Sequence, residues 1–136
     1  MSASRAYQKA VVAALKADAG VAAFVGSRIY DMAPADASYP YISLGPSSVV
    51  PDNADCIEGR EETIQIDVWD RSNGLMHPCR AIADAVYDAL HEVTLTLDDP
   101  FANVETNVTL MQVFGDPDGI TAHGVVQVTG MVEREV

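Results

Sequence analysis

The chain reads as an α+β fold, an antiparallel sheet of about four strands with one long helix and an N-terminal helix packed on it. Three features predict it. Apolar residues recur at helical spacing over Ser4–Ala17 and again over Ser72–His91. Residues Glu61–Trp69 alternate strictly, Ile64, Ile66 and Val68 to one side and Thr63, Gln65, Asp67 and Trp69 to the other. A turn-forming run, Gly115-Asp116-Pro117-Asp118-Gly119, separates two further alternating stretches, Val104–Phe114 and Ile120–Val132, as in a hairpin.

Each element follows from its residues. In Ser4–Ala17, Tyr7, Val11, Ala14 and Leu15 share one face, and Arg5, Lys9 and Lys16 share the opposite one. Gly20 and the small residues after it mark a break. Val21, Phe24 and Val25 then suit a short second helix closed by Gly26. Arg28-Ile29-Tyr30 starts an extended segment, and Asp31–Ser38 is a polar, alanine-rich loop. Tyr39–Val50 is the first long strand, with Pro40 near its start, where a missing N–H is best tolerated. Pro51–Gly59 is expected as a polar loop. The long helix enters through an irregular first turn because Pro78 cannot sit deep inside it; Leu75, Cys79, Ile82, Ala83, Val86 and Leu90 form its apolar face.

Length and composition bound the answer. The 136 residues suit one domain, 1–136, with a helical arm over 1–26 and a sheet-and-helix body over 28–136. No apolar run approaches the roughly 20 residues that cross a bilayer, so no membrane role is expected. Lys16 and Asp18 interrupt the N-terminal apolar stretch, which therefore does not read as a secretory signal. Two cysteines, Cys56 and Cys79, have no metal or redox spacing and read as free thiols of a reducing, cytosolic setting.

Charge is uneven. The net charge is −12, from 8 basic and 20 acidic residues. Residues 1–28 hold Arg5, Lys9, Lys16 and Arg28 against Asp18, a balance of +3, and the remainder carries −15. A strongly acidic body argues against specific nucleic-acid binding. The basic arm suits head-to-tail association, so Arg5, Lys9, Lys16 and Arg28 are candidate subunit-interface residues. The uncharged outward residues Thr63, Gln65, Trp69, Thr109, Met111, Gln127, Thr129 and Met131 suit either a protein partner or the domain's own helix.

Catalytic chemistry finds no footing. His77, Asp84, Asp88 and His91 lie near one helix side but lack a second ligand segment. The acids of 52–62 lack the spacing, glycine and closing glutamate of a calcium loop. His123 has no nucleophile nearby in sequence, and no phosphate loop or nucleophile elbow occurs. The aromatics Tyr30, Tyr39, Tyr41 and Trp69 have no cations around them to make a nucleic-acid platform. Neither an enzyme nor a cofactor is expected.

Leu15-Lys16-Ala17-Asp18-Ala19-Gly20-Val21-Ala22-Ala23-Phe24-Val25-Gly26-Ser27-Arg28-Ile29-Tyr30, followed by Tyr39-Pro40-Tyr41-Ile42, resembles the tail-completion (tail-terminator) family of long-tailed phages and phage-like gene transfer agents. The resemblance continues through Ile64–Trp69, the helix Ala81–Leu90 and the closing strands. It implies a virion structural protein at the head-proximal end of the tail, assembled in the host cytoplasm. It further implies a ring, typically a hexamer, that ends tube polymerisation and meets the major tail tube protein and the head-tail connector while DNA passes through its lumen. On that reading the loop residues Asp52, Asn53, Asp55 and Glu58 face the lumen or the tube. The alternatives are an acidic interaction module, such as a DNA-mimicking inhibitor, and a head-side connector protein of similar fold.

Overall fold

The computed structural model describes residues 2–135. Its elements run α1 (Ala3–Ala17), α2 (Ala19–Val25), β1 (Ile29–Tyr30), β2 (Tyr41–Pro51), β3 (Ile57–Asp70), α3 (His77–Leu90), β4 (Ala102–Gly115) and β5 (Ala122–Glu135). The sheet has five strands in the order β1-β2-β3-β5-β4, so the α+β expectation holds with one strand more than about four. The added strand is β1, whose Ile29 and Tyr30 pair in parallel with Ile42 and Ser43.

The helix starts follow from local chemistry. Ser2 caps α1 by accepting the Arg5 N–H at 3.2 Å. Asp18 closes α1 with its own N–H and then caps α2, accepting the Val21 N–H at 2.9 Å. The break therefore falls at Asp18, and Gly20 lies inside α2. Gly26, at φ 58°, ends α2 in a conformation open to glycine. Pro78 sits in the first turn of α3, so that helix begins at His77 rather than Ser72.

The long strands all shift from their expected bounds, β3 the most. β3 starts at Ile57, which shortens the expected 51–59 loop to 52–56 and puts Glu58 and Gly59 in the strand. A side chain at Gly59 would collide with the Asp52 carbonyl oxygen, so the tight turn requires glycine there. β4 and β5 form the expected hairpin, with the Asp116 N–H donating to Thr121 O at 2.9 Å. Asp118 accepts the Thr121 hydroxyl and the N–H groups of Ile120 and Thr121, which holds its carboxyl below the usual carboxylate range.

One face of the sheet carries the core. Tyr7, Val11 and Leu15 from α1, Val21 and Val25 from α2, and Ile82, Val86 and Leu90 from α3 pack on Ile42, Ile64, Ile66, Val68, Val126, Val128 and Val132. A buried polar knot ties α1 to the far edge. The Tyr7 hydroxyl meets Thr106 Oγ1 at 2.8 Å, and Thr106 donates to Asn103 Oδ1 at 3.0 Å. Asn103 also accepts the Leu95 N–H and donates to Glu105 O and Met131 O. Beneath the knot, Gly130 leaves no room for a Cβ against Tyr7 and Thr106. Near the start of α1, buried Glu62 accepts from Arg60 Nε at 2.7 Å and from the Ser4 hydroxyl at 3.0 Å.

Two outcomes follow. Gly130→Ala should lower unfolding free energy by about 1–3 kcal/mol through overpacking, read as a lower denaturant midpoint; a midpoint within error of the parent contradicts the packing. Burial pushes the Tyr7 hydroxyl from 10.0 to about 12 and the Cys79 thiol from 9.0 to about 12. Both groups hold their protons more tightly when folded, so their contribution is complete below pH 9 and is lost as pH rises toward 12. Stability should fall by about 1.4 kcal/mol per pH unit for each group inside its window. Denaturation at pH 8 and 11 tests this, and equal stability would contradict it.

Candidate assembly surface

Alternation along β3 and β5 decides what the helices leave uncovered. Residues opposite in register, Glu61↔Met131, Thr63↔Thr129, Gln65↔Gln127, Asp67↔Val125 and Trp69↔His123, all point away from the core. Among the described residues no helix covers them, so the second expectation for this face, its own helix, is set aside. Its centre is polar but uncharged, with Thr63 and Thr129 hydroxyls 2.9 Å apart.

One end of this face carries an aromatic row that crosses every strand. Trp69 stacks on His123 at 3.8 Å between ring centroids, and His123 meets Phe114 at 4.8 Å. On the other side Tyr41 lies 6.4 Å from Trp69, with Tyr30 and Tyr39 against it. The Arg71 guanidinium closes the row, 4.3 Å over the Tyr39 ring, so the expectation that no cation stands beside these aromatics does not hold: the turn after β3 brings Arg71 back onto them. Trp69 Nε1 donates to Ser43 Oγ at 3.0 Å. Partial burial raises the Tyr41 hydroxyl above its ordinary value. Asp67 is buried on this face; its Oδ1 accepts from Gln65 Nε2 at 2.9 Å and lies 2.7 Å from His123 Nε2. The row escapes sequence reading because β5 joins β3 across α3 and β4. The outward phase of Asp67 and Trp69 was the available signal.

The strands hold only two Lys or Arg residues, Arg60 and Arg134, and both lie on the helix side. Arg60 bonds Glu62 and Ser4. Arg134 pairs with Glu58 and lies over the Phe101 ring. The strand residues of the uncovered face therefore include no Lys or Arg, and the guanidinium at its aromatic end is that of Arg71, just past β3, which pairs with Asp118 at 3.7 Å; Glu61 and Glu133 stand at the opposite end.

The sequence-derived candidates scatter. Arg5 and Lys16 are exposed on α1. Lys9 forms an ion pair with Asp98 at 2.8 Å, both side chains largely exposed, which is worth little energetically. Arg28 stands apart, donating to Pro40 O and Phe24 O between α2 and β1. Asp52, Asn53 and Asp55 remain in the β2–β3 turn, where Asn53 Oδ1 accepts the Gly59 N–H at 3.1 Å. Glu58 leaves that group for β3. His91 Nδ1 accepts the Val108 N–H, and its ring stacks on Tyr87. Among the described residues no three His, Cys, Asp or Glu side chains converge as a metal site.

His123→Ala would leave buried Asp67 with Gln65 as its remaining side-chain partner. It should cost about 1–3 kcal/mol in urea unfolding; an unchanged midpoint would contradict the assigned pairing.

Known proteins share this sequence pattern and overall fold. The sequence model described as Tail completion protein gp17 matches residues 9–133. The tail completion protein gp17 of Bacillus phage SPP1 is 30% identical over 126 residues, covering 93% of this chain and 91% of that protein. A chain in the virion of a native gene transfer agent particle superposes with a TM-score of 0.87 at 27% identity, covering 97% and 98% of the two chains. The structure of SPP1 gp17 gives a TM-score of 0.63 at 28% identity over 94% and 89%.

Proposed function

Since the chain belongs to the tail completion protein gp17 family, a family of structural tail proteins and not of enzymes, we propose that it closes the head-proximal end of a tail tube as a ring. Its place is the virion tail, among other virion proteins. In the finer reading, copies of this chain, six by analogy with such rings, stop tube polymerisation and present a face to the head-tail connector.

The observation that carries this reading is the uncovered sheet face, whose strand residues include no Lys or Arg and whose flanking cation, Arg71, is paired with Asp118 at the aromatic end. A surface that lets a polyanion slide past must avoid ion pairs with phosphate, and cations would hold it. The net charge adds to this, since six copies at −12 each bring −72. The dimensions also suit a channel. Five strands spaced about 4.8 Å give about 24 Å of wall per copy, and six copies close a wall about 46 Å across. The turn residues Asp52, Asn53 and Asp55 sit at one axial end of such a wall, where they would meet tube or lumen. A DNA-mimicking surface is less well supported, because the acids spread over turns and helix faces rather than one phosphate-like row.

The test is a polymerisation assay with the cognate tail tube protein. Substoichiometric amounts of this chain should halt growth, with about six copies at one tube end. Tubes that keep elongating, or binding only to heads, would overturn tube termination; the second result would favour a head-side role.

A further inference from the structure

Of the 8 Lys and Arg residues, Arg71 alone stands at the uncovered face. The others lie on α1 or α3, on the helix side of the strands or, at Arg28, against backbone carbonyls. Arg71 continues the outward phase of Gln65, Asp67 and Trp69 just past the end of β3. It therefore stands where the rest of that face avoids positive charge.

Three contacts hold its guanidinium. Tyr39 covers it at 4.3 Å, Nε donates to Thr121 Oγ1 at 3.0 Å, and Nη2 lies 3.7 Å from Asp118 Oδ2. Asp118 is itself fixed from the other side. Its Oδ1 accepts the N–H groups of Ile120 and Thr121, and its Oδ2 accepts the Thr121 hydroxyl at 2.6 Å. These bonds keep the carboxylate ionised and in place largely without help from Arg71. Thr121 touches both charges, donating to the anion and accepting from the cation. The turns that carry them also abut. A Cβ on Gly74 would meet the Gly119 carbonyl oxygen at 2.9 Å, so the turn after β3 and the β4–β5 turn pack as one unit.

Stability does not account for this pair. The two side chains are 46% and 35% exposed, and an ion pair in that setting contributes little. Its field matters more. A guanidinium is the side chain best shaped to hold phosphate, through two parallel N–H groups. A carboxylate fixed beside it offsets its charge and repels phosphate oxygens. In a ring of about six copies, unpaired guanidiniums at one level of a channel would form a collar for a polyanion. Paired ones do not.

We propose that Asp118 is the counter-charge that keeps Arg71 from gripping passing DNA, so that the aromatic end of the channel admits duplex without holding it. This rests on the reading that the uncovered face lines the channel. Arg71 then serves packing, tying Tyr39 and the β4–β5 turn to the end of β3, while Asp118 removes the electrostatic cost of placing a cation there.

The experiment uses tails assembled with full-length variants and a labelled DNA duplex. Parental tails should retain none above background. Asp118→Asn keeps an acceptor for the turn N–H groups and removes the charge. Its tails should bind duplex at about 50 mM salt and lose about a thousandfold in affinity by about 200 mM, as six phosphate contacts require. Adding Arg71→Gln should return binding to background, which a merely disordered turn would not do. Asp118→Ser, whose hydroxyl also suits the turn, repeats the test if circular dichroism shows the asparagine variant unfolded. Gln127→Arg puts a new cation at the centre of the same face and should bind duplex by itself. Folded Asp118 variants that stay at background while Gln127→Arg tails bind would overturn the counter-charge and leave the channel reading standing. Binding that survives Arg71→Gln would overturn it as well. Gln127→Arg tails that bind no duplex would instead overturn the channel reading, and the proposal with it.

Discussion

The structure depends first on the pairing of β3 with β5. Fourteen consecutive residue pairs run from Ile57↔Glu135 to Asp70↔Ala122 without a register shift. A single slip would exchange the faces of the sheet, sending Ile64, Ile66 and Val68 to water and Asp67 and Trp69 into the core. Because the register holds, one face is apolar under three helices and the other is polar, with no Lys or Arg among its strand residues and an aromatic row closed by Arg71 at one end. The outer pairs carry the irregularities instead, a bulge in β2 and two in β4. The central pair thus sets the faces, and the edges are left to vary.

That division explains how a chain without reactive chemistry can have a function. Its polar groups are committed internally: Glu62 to Arg60 and Ser4, Asn103 to four backbone or side-chain partners, Asp67 to His123 and Gln65. No buried side-chain nitrogen or oxygen among the described residues lacks a partner. What remains is surface, and surfaces of this kind act by fitting other surfaces. The family likeness reaches the same conclusion independently, through a relative of matching length and a virion chain of nearly the same fold.

Much of the fold was legible in local pattern. The strict alternation of Glu61–Trp69, the apolar stripe of α3 and the Asp116–Gly119 turn each declare themselves within a few residues, since side-chain period is a local property. The strand order was not legible, because β3 reaches β5 across an intervening helix and strand. With it went the Trp69–His123 stack and the Asp67–His123 pair, which exist only once those strands are neighbours. The candidate interface residues fared unevenly for a similar reason. Helical period places Arg5 and Lys16 outward, but nothing local reveals that Lys9 meets Asp98, that Arg28 staples α2 to the start of β2, or that Glu58 belongs to a strand beside Arg134.

The central claim is that the uncovered face of the sheet, whose strand residues include no Lys or Arg, looks onto the DNA channel. Imaging the head–tail junction of intact particles at a resolution that separates helices from strands tests it most directly. The account predicts a closed ring with strands lining the channel, Trp69 and Gln65 on its inner surface, and α1 and α3 on the outside. A junction whose channel is lined by helices, with the sheet buried against another protein or facing solvent, would contradict it.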